Sequence, residues 1–239
     1  MFLGFIGNKA DSNLYFKVEG GRPMMLLLYV DDLFLMGEDE LIKYARSKLD
    51  SKFEMKDLGI MHYFLGMEVW QSTHGVFLGQ GKYTLDILKR FGMMDYKAMG
   101  TPMASNLKLL SDASSKSVDA TMYRQMIGSL MYLTNTRPNI FFALNTLSQF
   151  LTNPRHVHLI AAKHILRYLR GMIDYGHKYD ANQKINLQGY VDSDWVGSTI
   201  DRKITSGCCF SMGSSVISWF SKKKSYVALS IAEAEYVVA

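Results

Sequence analysis

Leu26-Leu27-Leu28-Tyr29-Val30-Asp31-Asp32-Leu33-Phe34-Leu35-Met36 sets two adjacent carboxylates inside an otherwise apolar run. The flanks are rich in aliphatic and aromatic side chains and read as two buried strands. Asp is depleted in strands, and two carboxylates ~4 Å apart repel by roughly 4 kcal/mol at an effective dielectric of 20. Neighbouring strand residues point to opposite faces, so both carboxylates share a site only where the chain turns sharply. A tight hairpin with Asp31 and Asp32 at its tip meets that requirement. A hard divalent cation such as Mg²⁺ suits the paired carboxylate oxygens. The plainer alternative is a surface β-turn, since Asp is a common turn residue.

The rest of the chain frames this hairpin. Its 239 residues suffice for one large domain or two small ones with a real core. Hydrophobic residues make up 48% and charged residues 21%, which excludes an intrinsically disordered chain. The net charge of +5 and pI near 9.0 admit a polyanionic partner without requiring one. Cys208 and Cys209 are adjacent, so in a strand they face opposite sides, and neither a disulfide framework nor a zinc site follows. The histidines are scattered without the spacing of a metal motif. No apolar run approaches the ~20 residues that span a bilayer. Met1 to Ile6 is too short for a signal-peptide core and lacks a basic leader. An intracellular protein without export signal or membrane span is expected.

Along the chain, Leu14–Lys17 and Met24–Met36 read as strands, with Gly20-Gly21-Arg22-Pro23 as the turn between them. Leu41, Ala45, Leu49 and Phe53 recur every four residues on a helix starting at Glu38. Tyr63–Trp70 and Val76–Leu78 read as a hairpin, and Lys82–Phe91 as a short helix. The polar stretch 100–120 is the best linker. Helices follow over Met122–Leu133 and Asn139–Leu151. A third has Asn153 as N-cap, Pro154 at its first position, and ends at Gly171. On it Lys163, Arg167 and Arg170 form a basic face, either tracking a phosphate backbone or simply solvated. Ile185–Asp192, Ser206–Met212 and Ser215–Ser221 read as strands, and a last helix begins near Ser230.

A second acidic group lies here. Asp192 and Asp194 flank Ser193 at a strand end, on one face. Glu233 and Glu235 sit at the start of the last helix, where the macrodipole alone favours acidic residues. A strand-end turn with side-chain hydrogen bonds would equally explain the aspartates.

Tyr29-Val30-Asp31-Asp32 resembles the active-site hairpin of reverse transcriptases. Met55-Lys56-Asp57-Leu58-Gly59, Tyr63-Phe64-Leu65-Gly66-Met67-Glu68-Val69, Gln80-Gly81-Lys82-Tyr83, Thr136-Arg137-Pro138-Asn139-Ile140 and Ala161-Ala162-Lys163-His164-Ile165-Leu166-Arg167-Tyr168 resemble copia-type retrotransposon reverse transcriptase beyond that hairpin. Tyr190-Val191-Asp192-Ser193-Asp194-Trp195, Ile217-Ser218-Trp219 and Ala232-Glu233-Ala234-Glu235-Tyr236 are similar to the family's ribonuclease H domain. The resemblance runs through nearly the whole chain in the family's order.

What the resemblance implies is an α+β chain in three parts: a partial reverse-transcriptase palm with its catalytic hairpin over 1–100, a helical thumb or connection over 101–176, and the N-terminal part of a ribonuclease H-like α/β domain over 177–239. It assigns catalytic and Mg²⁺-binding roles to Asp31 and Asp32, and to Asp192 and Glu235, with Asp194 and Glu233 as second choices. The partners it implies are an RNA/DNA template-primer hybrid and the remaining Pol segments. Lys163, Arg167, Arg170, Lys222, Lys223 and Lys224 are the candidate nucleic-acid contacts. The family's polymerase takes another Asp from a strand well before the hairpin, and its ribonuclease H takes a third carboxylate from a later strand. Neither falls within residues 1–239, so the isolated chain is expected to perform neither reaction well. Three readings compete: a Pol fragment active with its missing pieces, a decayed insertion, and a non-catalytic nucleic-acid-binding module.

Overall fold

The computed structural model describes residues 2–104, 115–194 and 205–223. Its contacts divide into two units, the first covering Met1–Ile60 and the second beginning at Met61. Helices and antiparallel sheets are mixed, as an α+β chain requires.

In the first unit β1 (Ile6–Gly7), β2 (Leu14–Glu19), β3 (Arg22–Tyr29) and β4 (Asp32–Met36) form one sheet in chain order. The β2–β3 turn is made by Gly20 and Gly21 alone, at φ +59° and +78°. Only glycine takes two successive left-handed positions without steric cost. Met24 and Leu26 of β3 alternate inward and meet Leu41, Ala45 and Leu49 of α1 (Asp39–Asp50), with Phe5 completing this small core. Asp39 and Glu40 in the first turn of α1 and Lys48 in the last suit the helix dipole. The four-residue period stops at Leu49: α1 ends at Asp50, and Phe53 lies beyond it, exposed.

In the second unit the stretch expected as one strand over Tyr63–Trp70 is two. β5 (Tyr63–Phe64) reverses at Leu65 and Gly66, φ +49° and +72°, into β6 (Met67–Ser72). β7 (Gly75–Gly79) follows, then α2 (Gly81–Arg90), α3 (Ala120–Leu133), a 3-10 turn at Pro138–Ile140, α4 (Phe141–Ser148) and α5 (His156–Arg170). The helix expected over Asn139–Leu151 is therefore a 3-10 turn running into a shorter α-helix. α5 also starts later than the Asn153-Pro154 pair suggested. The backbone just before it is extended and tied to the segment ahead of α3: Ser117 bridges Arg155, and Val118 N donates to the Pro154 carbonyl at 3.2 Å. Arg155 is the N-cap instead, its backbone N–H donating to His158 Nδ1 at 2.9 Å. At α3 the cap is Asp119, whose Oδ1 accepts from Thr121 N at 2.8 Å.

α2 to α5 enclose the main core, including Ile87, Tyr123, Leu130, Leu144 and Leu166. The buried Tyr123 hydroxyl donates to the Leu147 carbonyl at 3.0 Å, and burial raises its pKa. Polar groups fasten the β5–β7 region to this core. Gln80, fully buried, accepts from Thr136 Oγ1 at 2.7 Å and donates to the Tyr132 carbonyl at 3.4 Å. Glu68, also buried, accepts from Lys82 N at 3.0 Å and so caps the first turn of α2. Tyr132 reaches across to hydrogen-bond the Leu65 carbonyl, and a Cβ on Gly66 would lie 2.5 Å from that hydroxyl.

A further strand without a clear sequence signal, β8 (Gly176–Asp180), closes the sheet in the order β5-β6-β7-β8. β9 (Leu187–Asp194), β10 (Thr205–Met212) and β11 (Ser215–Lys223) form a third sheet with β10 central. That sheet is anchored by Trp219 Nε1 donating to the Thr134 carbonyl (3.0 Å), Asn145 Nδ2 to Ser221 O (3.1 Å) and Tyr179 OH to Val216 O (2.7 Å). His177 stacks near Trp219, with ring centroids 5.1 Å apart. No helix among the described residues is long and apolar enough to cross a membrane.

Two consequences are measurable. Gln80→Ala leaves the Thr136 hydroxyl without its buried acceptor, and should cost about 1–3 kcal/mol in urea unfolding. Burial, reinforced by the Arg137 cation, holds the His177 imidazole below its usual 6.5. The unfolded chain then takes up the proton first, so stability falls as pH drops below 6.5 toward the depressed folded value. The urea midpoint followed downward from neutral pH should show that loss, and His177→Gln should flatten it.

Candidate active site

The hairpin expected around Asp31 and Asp32 is present. β3 and β4 pair from Met25↔Met36 through Leu28↔Leu33 to Tyr29↔Asp32, leaving Val30 and Asp31 alone to reverse the chain. Asp31 therefore occupies the tip, whereas Asp32 is the first residue of β4, directly across from Tyr29. Both carboxylates are exposed. Val30 adopts φ +53° with its side chain 86% exposed. Positive φ at the first of two turn residues is the pattern of a II′ turn, which normally takes glycine there. A β-branched residue in that region costs on the order of 1–3 kcal/mol and persists only where surrounding structure imposes it. Here the ladder of strand pairs imposes it.

Only the aspartates of the second acidic group fall among the described residues. Asp192 lies on β9 opposite Gly207, exposed, and lines a cavity of about 290 Å³ together with Phe141, Phe142, Tyr190, Trp219 and Phe220. Asp194 ends β9. Glu233 and Glu235, and the helix expected from Ser230, lie outside the described residues. Among the described residues no three His, Cys, Asp or Glu side chains come together as a metal cage.

The basic positions have other company as well. Arg167 Nε donates to the Lys97 carbonyl at 2.7 Å, Arg170 Nε to that of Met94, and His164 Nε2 lies 2.9 Å from the Thr101 carbonyl. One face of α5 thus straps down the segment from Met94 to Thr101, with Lys163 half-buried beside it. Lys222 is exposed on β11, Lys223 is its last residue, and Lys224 lies outside the described residues. Arg137 is a buried cation that nothing in the sequence pattern marks out. It is 2% exposed, and its Nη2 donates to the Met172 and Ile173 carbonyls just past α5, at 2.6 and 3.0 Å. Burial lowers its pKa to about 10. An arginine beside a proline gives no sequence signal of this burial. The strain at Val30 was readable in principle, since a two-residue hairpin loop demands positive φ.

Residues 1–105 match the family model described as reverse transcriptase (RNA-dependent DNA polymerase). The chain is 39% identical, over 98% of its length, to the retrovirus-related Pol polyprotein from transposon RE2 of Arabidopsis thaliana. It is 37% identical over 98% of its length to that from transposon TNT 1-94 of Nicotiana tabacum. An uncharacterized mitochondrial protein of Arabidopsis thaliana is 42% identical, the match covering 89% of both chains. The chain belongs to the copia-type Pol polyprotein family, with a reverse transcriptase domain. It spans 16% of the RE2 polyprotein and 18% of the TNT 1-94 polyprotein. No solved structure gives a significant match.

In this reverse transcriptase domain the turn strain is directly testable. Val30→Gly removes the steric penalty, at a smaller cost in unfolded-chain entropy. Amide hydrogen exchange in β3 and β4 should slow by up to about fivefold, equivalent to ~1 kcal/mol, whereas Val30→Ala should leave it nearly unchanged.

Proposed function

We propose that the chain is a segment of an RNA-directed DNA polymerase with an attached ribonuclease H. In this reading unit one and the β5–β8 sheet belong to the polymerase palm, α3 to α5 to its thumb or connection, and β9 to β11 to the start of the ribonuclease H sheet. The observation that carries it is the strained two-residue turn that holds Asp31 out to solvent at the tip of an otherwise apolar hairpin.

The donors suit Mg²⁺: Asp31 and Asp32 offer hard carboxylate oxygens on an exposed, geometrically constrained turn. Asp31 would hold the ion. Asp32, fixed by its pairing with Tyr29, would set the turn and add negative charge beside it. Two carboxylates are too few for a two-ion centre, so further ligands come from other Pol segments or from phosphate oxygens. When bound, the metal supplies activation of a primer 3′-hydroxyl and neutralisation of triphosphate charge. Asp192 and Glu235 would hold metal for cutting the RNA strand of the hybrid. Lys163, Lys222, Lys223 and Lys224, with the outer guanidinium nitrogens of Arg167 and Arg170, would meet the template-primer backbone. A second reading for the chain by itself is that it binds nucleic acid without catalysing either reaction, which the net charge of +5 and the exposed Lys222 support.

The test joins this chain to its flanking Pol segments. Asp31→Asn should lower Mg²⁺-dependent primer extension on an RNA template by roughly a hundredfold or more. Asp192→Asn should abolish RNA-strand cleavage and leave extension intact. Robust extension by residues 1–239 alone would sink the claim that the isolated chain is inactive.

A further inference from the structure

The β5–β8 sheet carries an aromatic row that none of the roles above uses. Trp70 of β6 stands directly across from Phe77 of β7, and Phe77 across from Lys178 of β8. Directly opposed residues share a face, so the three side chains form one line. The Trp70 and Phe77 rings lie 5.3 Å apart at 55°. Two residues back along β6, Glu68 pairs with Tyr63 of β5, which puts Tyr63 on this face too. The Lys82 ammonium sits 4.7 Å over the Tyr63 ring.

Glycines keep the row low and open. A Cβ on Gly79 would lie 3.0 Å from the Phe77 ring and 3.4 Å from that of Trp70. At Gly176, paired across from Gly79, it would lie 2.8 Å from Phe77 and 2.1 Å from the Leu78 carbonyl. The rings thus lie across bare backbone, and Trp70 remains 49% exposed.

The charges around the rings identify the occupant. Lys82 and Lys178 flank them, both exposed. Glu68, the acid beneath Tyr63, is buried; its Oε2 caps the first turn of α2 and its Oε1 lies 3.9 Å from the Lys82 ammonium, partly offsetting that charge, whereas Lys178 has no such neighbour among the ion pairs of the described residues. Asp180 is the other acid on this face, at the far edge opposite Gly75. Flat rings between two cations, in a chain of net charge +5, match a polyanion with unstacked bases.

We propose that this face is a stacking platform for single-stranded nucleic acid, with bases on Trp70 and Phe77 and phosphates on Lys178 and Lys82. It rests on the nucleic-acid function proposed above and adds a site to it. The 239-residue chain would be titrated against a fluorescein-labelled oligouridylate of about a dozen nucleotides and, separately, an RNA/DNA duplex, by anisotropy. Trp70→Ala should weaken oligouridylate binding roughly tenfold or more, and Trp70→Phe should restore most of it. Lys178→Ala should lower the slope of log affinity against log salt by about 0.7. Each variant is compared at an unchanged melting temperature. If Trp70→Ala binds the oligonucleotide as tightly as the unmodified chain, the platform is wrong, and retained duplex binding leaves the broader reading standing. If neither probe binds, both fail. A dimer in sedimentation that Trp70→Ala dissociates would overturn the platform in favour of self-association.

Discussion

The pairing of Tyr29 with Asp32 is the constraint on which the candidate polymerase site depends. It closes the β3–β4 ladder one step before the turn and leaves Val30 and Asp31 to reverse the chain. The same register sends Met24 and Leu26 inward onto α1. Slipping it by one residue would turn those side chains to solvent. The burial of two core residues and the presentation of one carboxylate are therefore the same choice of register. Val30 is kept in a conformation it disfavours by the apolar pairs behind it, from Met25↔Met36 to Leu28↔Leu33.

Where the sequence has a clean period, its reading and the structure coincide. The apolar flanks of the Asp-Asp pair, the four-residue spacing of Leu41, Ala45 and Leu49, and the helix ahead of Gly92 all carry local signals strong enough to set element type. The misses have long-range causes. Tyr63–Trp70 reads as one apolar run, and nothing in its periodicity shows that Leu65 takes positive φ and lets Tyr132 grip its carbonyl. Asn153-Pro154 has the composition of a helix start, but its backbone is drawn into an extended bridge with Ser117–Val118. β8 is short and polar, and it is a strand only because β7 offers an edge. At the site, Asp31 and Asp192 were legible as residue types. The turn geometry at Val30, and the aromatic row made by three separate strands, follow only from register.

The cations show a related division. Net positive charge admits a polyanionic partner, yet Arg137, Arg167 and Arg170 each donate to backbone carbonyls within the chain. Arg137 satisfies the exit from α5, where carbonyls lack helical partners. Arg167 and Arg170 hold the segment after α2 against the C-terminal end of α5. Part of the basic character is thus consumed in tying irregular backbone to helices. Lys178 and Lys222 are among the exposed lysines that face outward.

The late arrival of β8 has a consequence for synthesis on the ribosome. β7 pairs with β8 from Gly75↔Asp180 to Gly79↔Gly176, across a hundred residues of intervening helix and loop. Until β8 emerges, the β7 edge stays open while α2 to α5 are already able to condense. Pairings this distant close slowly, because the loop entropy is spent before the strand contacts form. During that interval the apolar residues of β6 and β7 present an unpaired edge, the kind of surface that invites pairing with another nascent chain. The glycines at 75 and 176, each admitting no Cβ beside the opposing strand, shorten the hazard by letting β8 seat flush once it appears.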